Sequence, residues 1–258
     1  MIMRVFFFLL ALLLAPVPLL AAQKELVIGI SQFPSNFNPL INSMLAKSYM
    51  LALARRPITV YDGDWKLICM LCTELPDIAK GTAVFETTAE GKPGIAVTFS
   101  LDPDAVWGDG TPITTKDVIF SWEVGRHELS GVGDAEIFRR ITKIDAHDDK
   151  TFTLHVNKRT CDYAGINGLD LLPAHIDRAN FSEPREYRNR SAYERDTTNP
   201  GLWFGPYKVA EVVSGAYVVF ERNPRWWGRK PHFDRIVIKA IDNTAAMTAS
   251  LLSGGIDY

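Results

Sequence analysis

Residues Leu26-Val27-Ile28-Gly29-Ile30 form a short, continuous apolar run. A run of this length without polar alternation reads as a strand buried on both faces. Such a strand needs packing above and below it. Its neighbours supply candidates. Ser31 to Pro39 is rich in Pro, Asn and Ser and reads as a loop. Met44 to Arg55 is long enough for a helix, with Met44, Leu45, Met50, Leu51 and Leu53 available for burial, and Pro57 ends it.

Upstream the chain is a different material. Met1 to Arg4 carry one positive charge, Val5 to Leu20 are almost purely apolar, and small residues follow at Ala21-Ala22. A basic start, an apolar centre and a small-residue end describe a secretory signal peptide over residues 1-22. A membrane anchor is the competing reading. The 16-residue apolar run falls short of the roughly 20 that a spanning helix needs, and Pro16 and Pro18 interrupt it. Cleavage is expected after Ala21 or Ala22. No cysteine sits at that junction, so no lipid anchor is expected. The mature chain is expected free in a periplasm-like compartment.

The rest reads as alternating short elements. Ile58-Thr59-Val60-Tyr61 is a strand, Asp62-Gly63-Asp64 a tight turn, and Trp65 to Leu71 continues beyond it. Val97 to Leu101 alternates as a strand with one wet face. Gly108 to Pro112 is a turn. Thr114 with Asp117 forms a capping box ahead of Val118, Ile119 and Trp122. Ile141 to Ile144 and Thr151 to Val156 form one hairpin; Tyr207 to Val213 and Ala216 to Glu221 form another across Ser214-Gly215. Phe233 to Lys239 is a strand. Ser182 to Pro200, crowded with Arg and Glu and poor in apolar residues, reads as a solvated loop. Asp242-Asn243-Thr244 opens a helix through Leu252, closed by Gly254-Gly255. Ile256-Asp257-Tyr258 begins a further strand, so the last strand–helix unit is expected to be unfinished.

Charge and motifs exclude several classes. The net charge of −2 argues against a nucleic-acid partner or an anionic membrane surface. No nucleophile elbow, phosphate loop, H-E-x-x-H or dinucleotide fingerprint is present. The histidines at 127, 147, 155, 175 and 232 lack metal-ligand spacing. No enzyme activity, metal or cofactor is expected. Cys69 and Cys72 form an isolated C-x-x-C. On a strand the two would face opposite sides; on a helical turn they could bridge; two small buried residues is the plainest reading.

Three segments, in order, carry a resemblance. They are Trp107-Gly108-Asp109-Gly110-Thr111-Pro112 running through to Trp122; Gly205-Pro206-Tyr207 with its hairpin, then Arg222-Asn223-Pro224 and Trp226-Trp227; and Phe233-Asp234-Arg235-Ile236 followed by Ala245 to Leu252 and Gly254-Gly255-Ile256-Asp257. Together they resemble the family 5 extracellular solute-binding proteins, the oligopeptide- and dipeptide-binding class. Their own residues have structural explanations: turn, cap, and Trp107 and Trp122 as core.

The resemblance implies an α/β, periplasmic binding protein-like clamshell, of which this chain carries the first lobe, a mixed sheet with helices plus a smaller α+β subdomain. Residues 23-58 and 157-258 would form the ligand-proximal α/β part, and 59-156 the inserted small part. A second lobe would follow Tyr258. The implied function is the periplasmic solute-binding component of an ABC importer, capturing peptides and delivering them to permease subunits in the inner membrane, as a monomer. Within the family the ligand could instead be an oligosaccharide, opine or nickel chelate. A different reading is a truncated fragment that binds no peptide at millimolar concentration or below, since closure needs two lobes. First-lobe ligand contacts are placed at Ser43, Met44 and Leu45, at backbone level, and at Cys161, Asp162 and Tyr163.

Overall fold

A computed structural model describes residues 24–166 and 168–258. The expected signal peptide therefore lies outside the described residues. In chain order the elements are β1 (Glu25–Ile30), α1 (Leu45–Ala54), β2 (Thr59–Tyr61), β3 (Leu67–Cys69), β4 (Ala83–Thr87), β5 (Pro93–Ser100), α2 (Thr115–Arg126), α3 (Glu136–Arg140), β6 (Ile141–Ala146) and β7 (Thr151–Val156). There follow α4 (Ala174–Asp177), α5 (Tyr187–Arg190), α6 (Ala192–Arg195), β8 (Tyr207–Val213), β9 (Tyr217–Arg222), β10 (Arg235–Ala240) and α7 (Thr244–Leu252).

Two four-stranded sheets organise these elements. The first has the order β1-β10-β9-β8, with β1 parallel to β10 and the rest antiparallel. The second, β4-β5-β7-β6, is wholly antiparallel. Both expected hairpins are present, as β6–β7 and β8–β9. In β5, Ile95, Val97 and Phe99 are buried and alternate with half-buried neighbours, and Phe99 stacks on Phe152 of β7 at 5.9 Å. Among the described residues an apolar cluster takes in buried residues of both sheets and also Trp107, whose ring meets Phe204 edge-on at 4.7 Å.

The turn ahead of α2 shows why its residues are those types. Gly110 has φ +94, a region a side chain rarely enters. At Gly108 a Cβ would lie 2.5 Å from the Pro200 carbonyl oxygen, so a side chain there would push apart the backbone bond from the Gly108 amide to the Trp203 carbonyl (2.8 Å). Thr114 and Asp117 form the expected capping box, with the Thr114 amide donating to Asp117 Oδ2 at 2.8 Å. Asp117 also accepts from the Ala174 amide at 2.8 Å, which seats α4 on α2. Burial pushes the Asp117 carboxyl above its ordinary value, opposed by those two amides. Trp107 is fully buried; Trp122 is half-buried, with its indole donating to the Phe138 and Ile141 carbonyls.

Three expectations are corrected. First, β1 is half-buried rather than covered on both faces. It is the last strand in the sheet order, paired with β10 on one side and met on the other by the Asp257–Tyr258 backbone (Asp257 N to Val27 O, 2.7 Å; Gly29 N to Tyr258 O, 2.8 Å). Helix α7 reaches Gly29 through Met247 but buries none of its own residues.

Second, Ser182 to Pro200 is not a solvated loop throughout. It folds into short helical turns whose inner side buries Tyr187, Ser191, Ala192 and Tyr193. Asp177, fully buried, gathers them. It accepts from the Tyr187 hydroxyl, from Ser191 Oγ at 2.9 Å and from the Ala192 amide at 2.8 Å. The charged side chains of the run face outward, as charge density predicts, but two tyrosines were enough to anchor it.

Third, Cys69 and Cys72 are disulfide-bonded rather than two merely buried residues. Cys69 ends β3, and Met70 and Leu71 bend so that both amides donate to the Ile58 carbonyl (3.0 and 3.2 Å). That bend, neither strand nor helix, brings the two Cα atoms to 5.1 Å, inside bridging range.

Candidate functional site

Four parts of the chain line a cavity of about 390 Å³: α1 with its leading loop, the stretch around α3, Ile95, Leu154 and Val156 of the β5–β7 strands, and the return segment from Lys158 to Asp170. Hydrogen bonds fix their approach. Ile41 pairs with Val132 in an isolated bridge, and the Gly133 amide donates to the Leu40 carbonyl at 3.0 Å. A Cβ on Gly133 would come within 3.3 Å of the Ser43 amide nitrogen, so a small residue lets the two loops close. Asn38, buried, ties the leading loop to the helical excursion by donating to Ser191 Oγ at 3.0 Å.

Of the residues named from sequence, Ser43, Met44, Asp162 and Tyr163 line this cavity. Residues far apart in the chain are thus brought together. Leu45 does not line it; it is 65% exposed, one helical step off the inner face. Cys161, free and exposed, also lies outside the lining. The helix begins at Leu45 with Met44 as N-cap and no side-chain cap bond, which leaves the first turn's amides open to other acceptors.

The electrostatic centre of the cavity was not named from sequence. Lys47 is buried among apolar residues of α1, and its ammonium donates to the Asn38 carbonyl at 2.8 Å, to Asn36 Oδ1 at 3.3 Å and to the Ile41 carbonyl. Burial first, and then the nearby Arg55 cation, lower its pKa to about 8; Asp170 opposes the shift. Arg55 forms an ion pair with Asp170, and both line the cavity. Burial raises the Asp170 carboxyl, with Arg55 and then Lys47 pulling it back. The Arg55 guanidinium keeps one buried N–H, Nε, without an acceptor among the described residues. A signal for Lys47 was present: it stands three, four and seven residues before Met50, Leu51 and Ala54, all buried, on the same helical stripe.

Around this cluster the lining is mixed, with Asp134, Glu136, Arg140 and Lys158 alongside Leu40, Leu51, Ile137 and Val156. Opposite charges on an apolar floor suit a zwitterionic, partly apolar guest better than a single ion. Among the described residues no group of three His, Cys, Asp or Glu side chains is gathered that could hold a metal, and no helix is long and apolar enough to cross a membrane.

Comparison with known proteins agrees with the architecture. Residues 76–258 match the family model of the bacterial extracellular solute-binding proteins, family 5. The chain belongs to that family. It is 27% identical over 232 residues to a putative ABC transporter peptide-binding protein of Brucella ovis, covering 90% of this chain and 40% of that protein. It is 28% identical to the oligopeptide-binding protein OppA of Mycobacterium bovis, covering 87% and 36%. Among solved structures, the oligopeptide-binding protein of Thermus thermophilus in complex with a pentapeptide superposes with a TM-score of 0.77 at 25% identity, covering 90% of this chain and 43% of that one. The fold is thus the α/β periplasmic binding protein type, and the chain spans about two fifths of the length of the relatives it matches.

Proposed function

We propose that the chain forms the first lobe of a periplasmic peptide-binding protein that serves an ABC importer. It would act as a monomer that hands its cargo to the permease subunits, with no catalytic step. The observation that carries this is the cavity itself, which joins backbone at the start of α1 to Asp162 and Tyr163 and has Lys47, Arg55 and Asp170 in its lining. Family membership and the peptide ligands named for its relatives support the ligand class. In this reading Ser43 and Met44 meet the peptide backbone, Asp162 and Tyr163 face it from across the cavity, and Leu45 and Cys161 sit at the rim. Export by cleavage of residues 1-22 accompanies it.

The proposal also divides the lobe. Residues 23-58 with 157-258 form the ligand-proximal part, and 59-156 the inserted small part. The origin of the strands supports this division: one sheet draws only on 25–30 and 207–240, the other only on 83–156.

The test is a thermal-shift screen with di- to hexapeptides against oligosaccharides. At about ten times Kd a bound ligand stabilises by roughly 1.4 kcal/mol. Peptides are expected to raise the melting temperature and sugars to leave it unchanged. A Met44→Trp variant, with the cavity filled, should lose the effect. No shift with any peptide sinks the reading.

A further inference from the structure

A second groove lies at the other end of α1. It is walled by Ala52, Leu53 and Arg56 of the helix end, by Lys24 and Pro206, and by the loop from Trp226 to His232. We propose that this groove is a docking site for an acidic segment of a partner protein. Its charge is one-sided. Lys24, Arg56, Arg222, Arg229 and Lys230 line it, and no carboxylate does. Arg222 is answered by Asp234 at 2.6 Å. Among the described residues no carboxylate lies within ion-pair distance of the other four. In a chain of net charge −2, four unanswered cations around one groove form a local field that attracts anions and speeds their encounter. The ligand cavity differs, since acids and bases alternate there.

The groove is also built rather than incidental. The Arg56 guanidinium lies over the Trp226 ring at 5.1 Å and donates to the Ala52 and Arg55 carbonyls. Burial alone lowers its pKa, with no carboxylate compensating. The Trp226 indole donates to the Arg229 carbonyl at 2.9 Å, which fixes the loop that presents Arg229 and Lys230. Arg222 braces the far side through the His232 and Phe233 carbonyls (2.8 and 2.9 Å). Leu53, Pro206 and Trp226 supply apolar floor between the charges. Cations interleaved with an aromatic and prolines in a concave groove match an extended acidic peptide with apolar side chains. A flat bilayer surface would reach the exposed Lys24, Arg229, Lys230 and His232 but not Leu53, Arg56, Pro206 and Trp226, which are half-buried or buried.

The test uses the whole chain and a fluorescent decapeptide of alternating glutamate and leucine, followed by anisotropy. Saturable binding is expected, weakened by raising salt from roughly 0.05 to 0.5 M. The exposed double variant Arg229→Glu, Lys230→Glu should weaken it about tenfold or more, while charge reversal at the distant, exposed Lys92 and Lys116 should not. Saturating trialanine should leave the acidic peptide bound. Three results overturn the proposal: no saturable binding, equal binding by the Arg229→Glu, Lys230→Glu variant, or displacement by trialanine, which places the probe in the ligand cavity. Anionic vesicles or inorganic phosphate binding as well as the decapeptide, with the same dependence on Arg229 and Lys230, overturn the assignment to a protein segment.

Discussion

Replacing Lys47 by methionine keeps the length of the side chain and removes its proton. Lys47 is 3% exposed, and burial is the first cause that lowers its pKa. In the folded chain it titrates at about 8, against 10.5 for an ordinary lysine. Relative to the unfolded chain, the fold therefore favours the neutral form. At neutral pH both folded and unfolded chains carry the proton, and the burden on the fold is present in full. Above about pH 8 the folded chain releases it first, the unfolded chain binds more protons, and stability rises with pH. At about 1.4 kcal/mol per pKa unit, roughly 2 kcal/mol is recovered between about pH 7.5 and 9.5. Higher pH is avoided because burial holds Tyr187 and Tyr193 protonated in the fold, which works in the opposite direction once unfolded tyrosines ionise. Lys150 is also lowered by burial, but it is common to both proteins and cancels in their difference. Urea unfolding across this window should show wild type gaining about 2 kcal/mol relative to Lys47→Met. An identical pH profile for the two would refute the assignment, as would wild-type stability that falls relative to the variant.

Other expectations follow from the same structure. Asp177→Ala leaves two buried hydroxyls and the Ala192 amide without their acceptor, and should cost about 3 kcal/mol or more in urea unfolding. Reducing the Cys69–Cys72 bridge opens only a four-residue loop, so the loss should be about 2 kcal/mol, matched by the Cys69→Ser, Cys72→Ser double variant. Trp65 is 85% exposed at φ +59; Trp65→Gly removes left-handed strain and should raise stability by about 1 kcal/mol, and a loss of that size would show that the ring makes contacts worth more than the strain.

What the sequence made legible was local. The Thr114–Asp117 cap and the Asn243-capped helix depend on neighbours within a few residues and stand as read; the hairpin at Ser214-Gly215 is present too, but its loop takes in Ala216 as well, since Val213 pairs with Tyr217. Burial was less legible. The apolar run of β1 was read as doubly covered, but cover depends on what packs beside an edge strand, which no local pattern states. The Ser182–Pro200 segment has a polar composition, yet one buried carboxylate, Asp177, organises it from outside the segment. At the site, Ser43, Met44, Asp162 and Tyr163 were named and share a cavity, whereas Lys47 and Asp170 were passed over. A lysine on an apolar helical stripe reads as an interruption. It becomes a centre only when the Asn36–Ile41 carbonyls and Asp170, from distant segments, are folded around it.

The central claim is that peptide enters the cavity between α1 and the Lys158–Asp170 segment. An amide NMR titration of the chain with trialanine tests it directly, because it detects binding weaker than about 1 mM, the range set for a guest only partly buried. Saturable shifts are expected at Ser43, Met44, Asp162 and Tyr163, with Lys24 and Arg229 of the basic groove unmoved. Shifts elsewhere that spare those four residues, or equal shifts with a disaccharide, would contradict the account.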